Sequence, residues 1–441
     1  MSLAPPISSP TRIQAIAIVL GAIGLAGYAA THPIPGTGAL RTLFLLVIVM
    51  ATSYQFKTSP TRFMWPKADL VSVLLLCLTG WLVIQSSFIA SDTVMSLKTL
   101  TTEWGKVLLV ALIGISLAAS ASSGAERKVL IVGLFAGFFF HVLSTLGLQM
   151  VGLFQDGHLR IFNSFFGSYG YVSPLVDAAL AILLADTAGR ICFGGRLLPI
   201  TNAWLGIFIG LALTAVGALA AKGSALVVLG MGCSVVWVIT LKRRNQARVI
   251  VLSIFAVVII AGAINLALHK RWAESFRAVE TGVADTNNNI WPKEEDARAG
   301  DGSVYIRAAW AKIGLDGIAA HPLGLGYGTD AFGRYVKERY GVDKVVSSHS
   351  GWIDFALANG IPGLILLLGL GFALARQSWR AFCNQHGAGG LALAFLSFCY
   401  LFRCLIDGHL SSSRLMGFAL VAGLLWQLGR EGQPQRDSLS A

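Results

Sequence analysis

The residues best suited to chemistry lie where a polar segment meets an apolar one. Ser347, Ser348, His349 and Ser350 come directly before an apolar run that starts at Trp352. A serine cluster in this position is typical of a helix start. Free backbone N–H groups and the helix dipole at such an end favour an anion and disfavour an imidazolium. We therefore expect His349 to be a neutral base, able to accept a proton beside a bound phosphate.

Cations occur near the outer ends of other apolar segments. Arg160 and Lys222 lie on different predicted outward connections, Arg307 lies in an amphipathic stretch, and Asp177 is the candidate counter-ion to one of the first two. Charges near a membrane interior are costly enough to suggest function. Cationic side chains facing outward suit a lipid-linked phosphate or pyrophosphate. A second set is interpreted as structural pairs or snorkelling side chains: Arg403, Asp407 and Arg414.

Several familiar motifs are absent from the sequence. It contains no Asp-x-Asp, His-x-His or His-Glu-x-x-His that would hold a divalent metal, and no Gly-x-Ser-x-Gly nucleophile elbow. The six cysteines lie in apolar stretches or in connections predicted to be cytoplasmic. The sequence therefore predicts no disulfide framework, no metal site and no cofactor.

The composition requires a membrane to position these groups. The chain has 441 residues, of which 55% are hydrophobic and 13% charged, and a mean hydropathy of +0.68. A soluble surface cannot be built from this composition, so we predict an all-α integral membrane protein with about twelve transmembrane helices. The predicted spans are 13–30, 39–54, 69–90, 105–121, 129–153, 172–186, 203–220, 224–241, 249–268, 352–375, 388–406 and 415–428.

Basic residues predict the orientation of the spans. Lys and Arg concentrate in alternate short connections, and these are expected to be cytoplasmic. Both termini then lie inside, and residues 269–351 form one large extracytoplasmic loop between the membrane regions 1–268 and 352–441. The net charge of +12 is explained by insertion and by membrane lipids. Nucleic acid is excluded as a partner.

The large loop is predicted to be partly helical. Ile306, Trp310 and Ile313 recur at helical spacing, and a second amphipathic stretch runs from Phe332 to Tyr340. In the span that follows the loop, the residues 359–363 (Asn-Gly-Ile-Pro-Gly) predict a broken helix, of the kind that lines a cavity at membrane depth.

The chain resembles bacterial O-antigen ligases and O-antigen polymerases in three motifs and in its layout of spans around one large loop. The motifs are Arg307-x-x-Trp310, His321-Pro-Leu-Gly-x-Gly326, and the segment from His349 to Gly363. The resemblance is most specific between about residues 222 and 363. It implies transfer of a glycan from undecaprenyl pyrophosphate to an acceptor hydroxyl, on the periplasmic face of a Gram-negative inner membrane. In the ligases the acceptor is the lipid A core.

The resemblance also implies roles for individual residues. His349 matches the family histidine and Arg307 the loop arginine, while Lys222 stands where the family usually has an arginine and Arg160 matches a weaker arginine position. The hypothesis is that Arg160, Lys222 and Arg307 neutralise the pyrophosphate while His349 takes the proton of the acceptor hydroxyl. Transfer would be inverting and independent of metal.

Other functions are compatible with the same pattern. An O-antigen polymerase or a protein O-oligosaccharyltransferase would use the same donor with another acceptor. A ligase is preferred because the Arg307 and His349 motifs share one loop, whereas polymerases often present two comparable loops. A transporter, with Asp177 and Lys222 lining a path beside the broken helix, belongs to a different class, and no obvious repeat relates the two halves of the chain.

Overall fold

The structure is a computed structural model. It describes residues 12–32, 34–58, 69–121, 123–156, 169–219, 222–242, 270–287, 291, 302–328, 330–343, 345–385, 388–405, 407–408, 410 and 412–430. These residues form fifteen α-helices and no strand. The helices are α1 (Arg12–Thr31), α2 (Gly38–Thr58), α3 (Leu70–Ile84), α4 (Thr93–Thr99), α5 (Gly105–Ser120), α6 (Gly124–Asp156), α7 (Tyr169–Phe193), α8 (Asn202–Leu219), α9 (Lys222–Lys242), α10 (Lys270–Asn287), α11 (Gly302–Ala320), α12 (Ala331–Tyr340), α13 (Gly351–Gln385), α14 (Ala388–Arg403) and α15 (Ser412–Arg430).

Many of these helices are suited to a lipid bilayer. Within the described residues, seven are long and apolar enough to cross a membrane, and three shorter apolar stretches lie in α9, α14 and α15. The chain is therefore an all-α, multi-pass membrane protein. The predicted ninth span, 249–268, lies outside the described residues. The count of twelve spans, the orientation and the outer placement of residues 269–351 stay predictions.

Two of the membrane helices are continued by π-helical turns, one inside the predicted span 69–90 and one before the predicted span 105–121. The turn Gln85–Ile89 continues α3, and the turn Leu100–Trp104 joins α4 to α5. The Asp69 side chain caps α3 by accepting the N–H of Ser72 at 2.9 Å. The π-turn before α5 contains Glu103.

The main bundle is closed by pairwise packing of apolar helices. Helix α1 packs on α2 and α6, α5 packs on α15, and α7 contacts α8, α9 and α14. Helix α13 packs between α3 and α14. One continuous apolar core runs through most of these helices, and a separate cluster joins α3 and α5 to α13.

The segment between α9 and α13 is helical. Helices α11 and α12 coincide with the two predicted amphipathic stretches, whereas α10 was not predicted. The side chains of Ile313, Phe332 and Tyr335 form a small core with Leu325 and Leu357. Because Leu357 belongs to α13, this core fastens the loop helices to the first turns of a membrane helix.

Helix α13 is interrupted where the sequence predicts a break. Gly360 has φ 73° and ψ 174°, which separates the helix into two parts. The loop after α11 docks into the gap, where the N–H groups of Leu325 and Gly326 donate to the carbonyls of Leu357 and Ala358, each at 2.9 Å. The side chains of α3 approach from the other side, with Trp81 Nε1 donating to the carbonyl of Asn359 at 2.7 Å. The polar backbone exposed by the break is thereby satisfied.

Candidate functional site

His349 lies in a tight turn directly before α13. Its backbone is left-handed, with φ 58°, and its side chain is exposed. The His349 N–H donates to Ser347 Oγ at 3.1 Å. A non-glycine residue rarely adopts this conformation, and such strain often marks functional sites.

Asp354, in the first turn of α13, organises this turn. Its carboxylate accepts Ser347 Oγ at 2.7 Å and the N–H of Ser348 at 2.9 Å. An acidic side chain near a helix N-terminus is stabilised by the dipole and by the unpaired N–H groups there. These two hydrogen bonds therefore fix the backbone of the turn that contains His349.

Several N–H groups at the start of α13 already have partners. The N–H of Gly351 donates to the carbonyl of Asp407 at 3.1 Å, and that of Trp352 donates to the carbonyl of Cys404 at 3.3 Å. The N–H of Ser350 donates to Ser348 Oγ at 3.1 Å. These three donors are therefore not available to an anion, which the sequence did not indicate.

Trp310 of α11 positions the imidazole of His349. The two rings are stacked, with centroids 5.2 Å apart and planes 4° from parallel. Arg307 lies one turn earlier on α11 and has an exposed side chain. Residues three apart share a helix face, so the stack brings the helix face that carries Arg307 to the His349 turn. The structure thus places Trp310, one turn after Arg307 on α11, against the ring of His349.

The other predicted site residues are only partly described. Arg160 lies outside the described residues. Lys222 is the first residue of α9, and its side chain is also outside the description. Asp177 of α7 is fully buried and accepts Ser224 Oγ at 3.0 Å, two residues beyond Lys222. Among the described cationic side chains, Arg403 of α14 interacts electrostatically with Asp177.

A cavity of about 200 Å³ lies beside the His349 turn. Its polar lining includes Glu103, Tyr327, Ser347, Asp354 and Asn359. The sequence analysis missed Glu103, Tyr327 and Asn359 as site residues, because they come from a π-turn, a loop and the helix break. Only Asp354 gives a local signal, as an acid in the first turn after a serine cluster.

A larger cavity of about 310 Å³ lies among α1, α2, α7, α14 and α15. Arg41, Arg403 and Arg414 line it, together with His32. Arg414 lies over the ring of Tyr171, 4.5 Å from the centroid, and donates to the carbonyl of Gly408 at 3.2 Å. These contacts agree with the structural interpretation of Arg403 and Arg414.

His32, just beyond the end of α1, is uncharged at neutral pH. Burial, followed by the charges of Arg41, His141 and Arg414, lowers the pKa of its ring to about 3. Among the described lining residues, the charge of the larger cavity therefore comes from its arginines.

Within the described residues, no group of three or more His, Cys, Asp or Glu side chains is arranged to hold a metal ion. The chemistry available at the His349 turn is instead an exposed imidazole, a guanidinium on the adjoining helix face, and a cavity with carboxylate and amide groups.

Comparison with known proteins identifies part of this architecture. The model of the family described as O-antigen ligase matches residues 207–368. This range begins in α8 and includes Lys222, Arg307, the loop helices, His349 and the break in α13. A search of curated proteins found no match to the chain. The family match over residues 207–368 confirms the resemblance to O-antigen ligases that the motifs indicated.

Proposed function

We propose that this protein transfers a glycan from undecaprenyl pyrophosphate to a hydroxyl of the lipid A core, on the periplasmic face of a Gram-negative inner membrane. The family match supports a lipid-linked glycan donor and a lipid acceptor in general terms. The observation that carries the proposal is the stack of Trp310 on His349, because it puts an exposed imidazole beside the helix face of Arg307.

In this proposal the reaction is a single displacement. The acceptor oxygen attacks the anomeric carbon of the donor sugar while His349 takes the hydroxyl proton. The bond from that carbon to the pyrophosphate oxygen breaks, and its electron pair leaves with undecaprenyl pyrophosphate. One displacement inverts the anomeric configuration.

The cationic side chains would stabilise the leaving group. Arg307, Lys222 and Arg160 are assigned to the pyrophosphate, whose negative charge increases as the bond breaks. Since several N–H groups at the start of α13 are already bonded, these side chains supply the charge at the site. The guanidinium of Arg307 offers a bidentate grip that the single ammonium of Lys222 does not.

The proposal is tested by reconstitution with defined substrates. Purified full-length protein in detergent, with EDTA present, should move glycan from undecaprenyl pyrophosphate onto lipid A core and release undecaprenyl pyrophosphate. The products can be separated by gel electrophoresis and identified by mass spectrometry. Transfer that appears only when Mg²⁺ is added would remove the metal-independent part of the mechanism.

The same assay separates the alternatives. A polymerase would lengthen the lipid-linked glycan when no core acceptor is present, and a protein O-oligosaccharyltransferase would require a protein acceptor. A transporter would move its substrate across proteoliposomes and transfer nothing in detergent. In cells, deletion of the gene should leave core without O-chains while lipid-linked polymer accumulates; core bearing a single repeat would indicate a polymerase.

The stack on His349 gives a prediction for Trp310. Replacing Trp310 with alanine should lower kcat by roughly threefold to tenfold, the effect of losing an aromatic pair. Trp310→Phe retains a flat ring at this position and should stay within about twofold of the wild type. The measurement is kcat and KM for both substrates, with thermal unfolding as a control for folding. Equal losses in the two variants would show that stacking does not position the imidazole.

A further inference from the structure

The described lining of the small cavity beside the His349 turn is acidic. Glu103 and Asp354 belong to it, and no Lys, Arg or His is among its described residues. Lys106 acts electrostatically on Glu103 but is not part of the lining. A carboxylate repels an anionic headgroup at close range and readily accepts hydrogen bonds from hydroxyl groups. The lining therefore favours a neutral ligand that carries hydroxyls.

Asn359 has an unused acceptor at this cavity. The residue is 1% exposed, and its Nδ2 donates to the carbonyl of Phe355 at 3.1 Å. Its Oδ1 is buried and has no hydrogen-bond partner among the described residues. A buried polar atom without a partner is uncommon and is often satisfied by a ligand or by water. An O–H donor in the cavity would satisfy this oxygen.

Tyr327 adds a second neutral group to the lining. Burial raises the pKa of its phenol, and the charge of Glu103 raises it further. The phenol therefore keeps its proton at neutral pH, and it can both donate and accept a hydrogen bond. Carboxylate, amide and phenol groups together form a typical surface for a sugar.

The cavity lies next to the turn that carries His349, the proposed base. Ser347 lines the cavity, donates to Asp354 at 2.7 Å and accepts the N–H of His349 at 3.1 Å. A hydroxyl-bearing ligand in the cavity is thus one short turn from the imidazole. Its other wall is the interrupted part of α13, at Ala358 and Asn359.

We propose that this cavity binds the acceptor sugar of the transfer reaction through its hydroxyls, with Glu103 and Asn359 as residues that determine acceptor binding. The inference rests on the proposed glycan transfer and adds a division of the site: cationic side chains for the donor diphosphate, and an acidic, amide-lined cavity for the acceptor.

The test is equilibrium binding to detergent-purified, full-length protein. Delipidated core oligosaccharide is the acceptor probe, and undecaprenyl pyrophosphate is the donor probe. Glu103→Gln removes the charge and replaces one acceptor oxygen by an NH₂ donor, and Asn359→Leu removes the amide, each at nearly constant volume. Each should weaken binding of the oligosaccharide by about tenfold, which is the cost of one good hydrogen bond, and change donor binding by less than about twofold.

Glu338→Gln is the matched control, since Glu338 is an exposed carboxylate on α12 outside the cavity. It should change neither binding constant. If Asn359→Leu does not fold, Glu103→Gln still decides the question. Unchanged oligosaccharide binding in Glu103→Gln, a loss confined to the donor, or no oligosaccharide binding by the wild type would overturn the inference. Absence of glycan transfer by a wild type that binds both probes would instead defeat the proposed function.

Discussion

Replacing His349 with alanine should reduce glycan transfer by at least about 100-fold, within the range that a positioned general base contributes. The acceptor hydroxyl is a poor nucleophile until its proton is removed, and His349, exposed on the turn that Asp354 holds, is the proposed base. The change should appear in kcat. Binding of undecaprenyl pyrophosphate should be nearly unaffected, because the cations that hold it remain.

The control for this variant is His321→Ala. His321 is the other loop histidine among the described residues and meets the ring of Tyr335 edge-on, with centroids 6.0 Å apart. It should lower stability slightly and leave kcat within about threefold, in keeping with the loss of an aromatic contact. Full activity of His349→Ala in an assay with saturating donor and acceptor would remove the base from the mechanism.

The sequence predicted much of the fold because membrane helices are recognised from their length and apolarity alone. Helices α11 and α12 were also predicted, since their apolar residues recur at helical spacing. Helix α10 was missed, because it is largely polar and its apolar residues occupy a narrow face. Helix α10 packs on α11, and this contact stabilises a helix that its own sequence pattern does not predict.

The candidate site could be predicted only where the signal is local. The serines before Trp352 indicated the turn that carries His349, and the glycine and proline after Asn359 indicated the break in α13. The stack with Trp310 and the cavity that includes Glu103 depend on contacts between segments distant in sequence. The sequence also could not show that carbonyls from the connection after α14 bind the N–H groups of Gly351 and Trp352. These tertiary contacts use donors that the local sequence pattern suggested were free.

The break in α13 gives the largest predicted effect on stability. A Cβ added at Gly360 would lie 2.5 Å from the carbonyl carbon of Leu323, and the residue has φ 73°. Gly360→Ala combines a left-handed backbone at a non-glycine residue with overlap against backbone atoms of the docked loop. Together these should lower the free energy of unfolding by about 2–5 kcal/mol.

The expected cause of this loss is undocking of the loop. The N–H of Ile361 donates to the carbonyl of Pro322 at 2.8 Å, beside the bonds that Leu325 and Gly326 make to α13. If the loop moves to relieve the overlap, these bonds are lost and the interrupted helix exposes unpaired backbone groups, which are costly at membrane depth. Thermal unfolding in detergent should show a lower Tm, and protease cleavage within 321–328 should become faster.

Gly206→Ala provides the comparison, because a Cβ at Gly206 in α8 would meet no atom within 4 Å. Alanine favours a helix over glycine by up to about 1 kcal/mol, so this variant should match or exceed the wild-type Tm. The two substitutions add the same methyl group to a membrane helix and differ in backbone conformation and available space. Equal Tm values for the two variants would mean that the loop is not held in the break, and the cavity wall at Ala358 and Asn359 would then lose its structural basis.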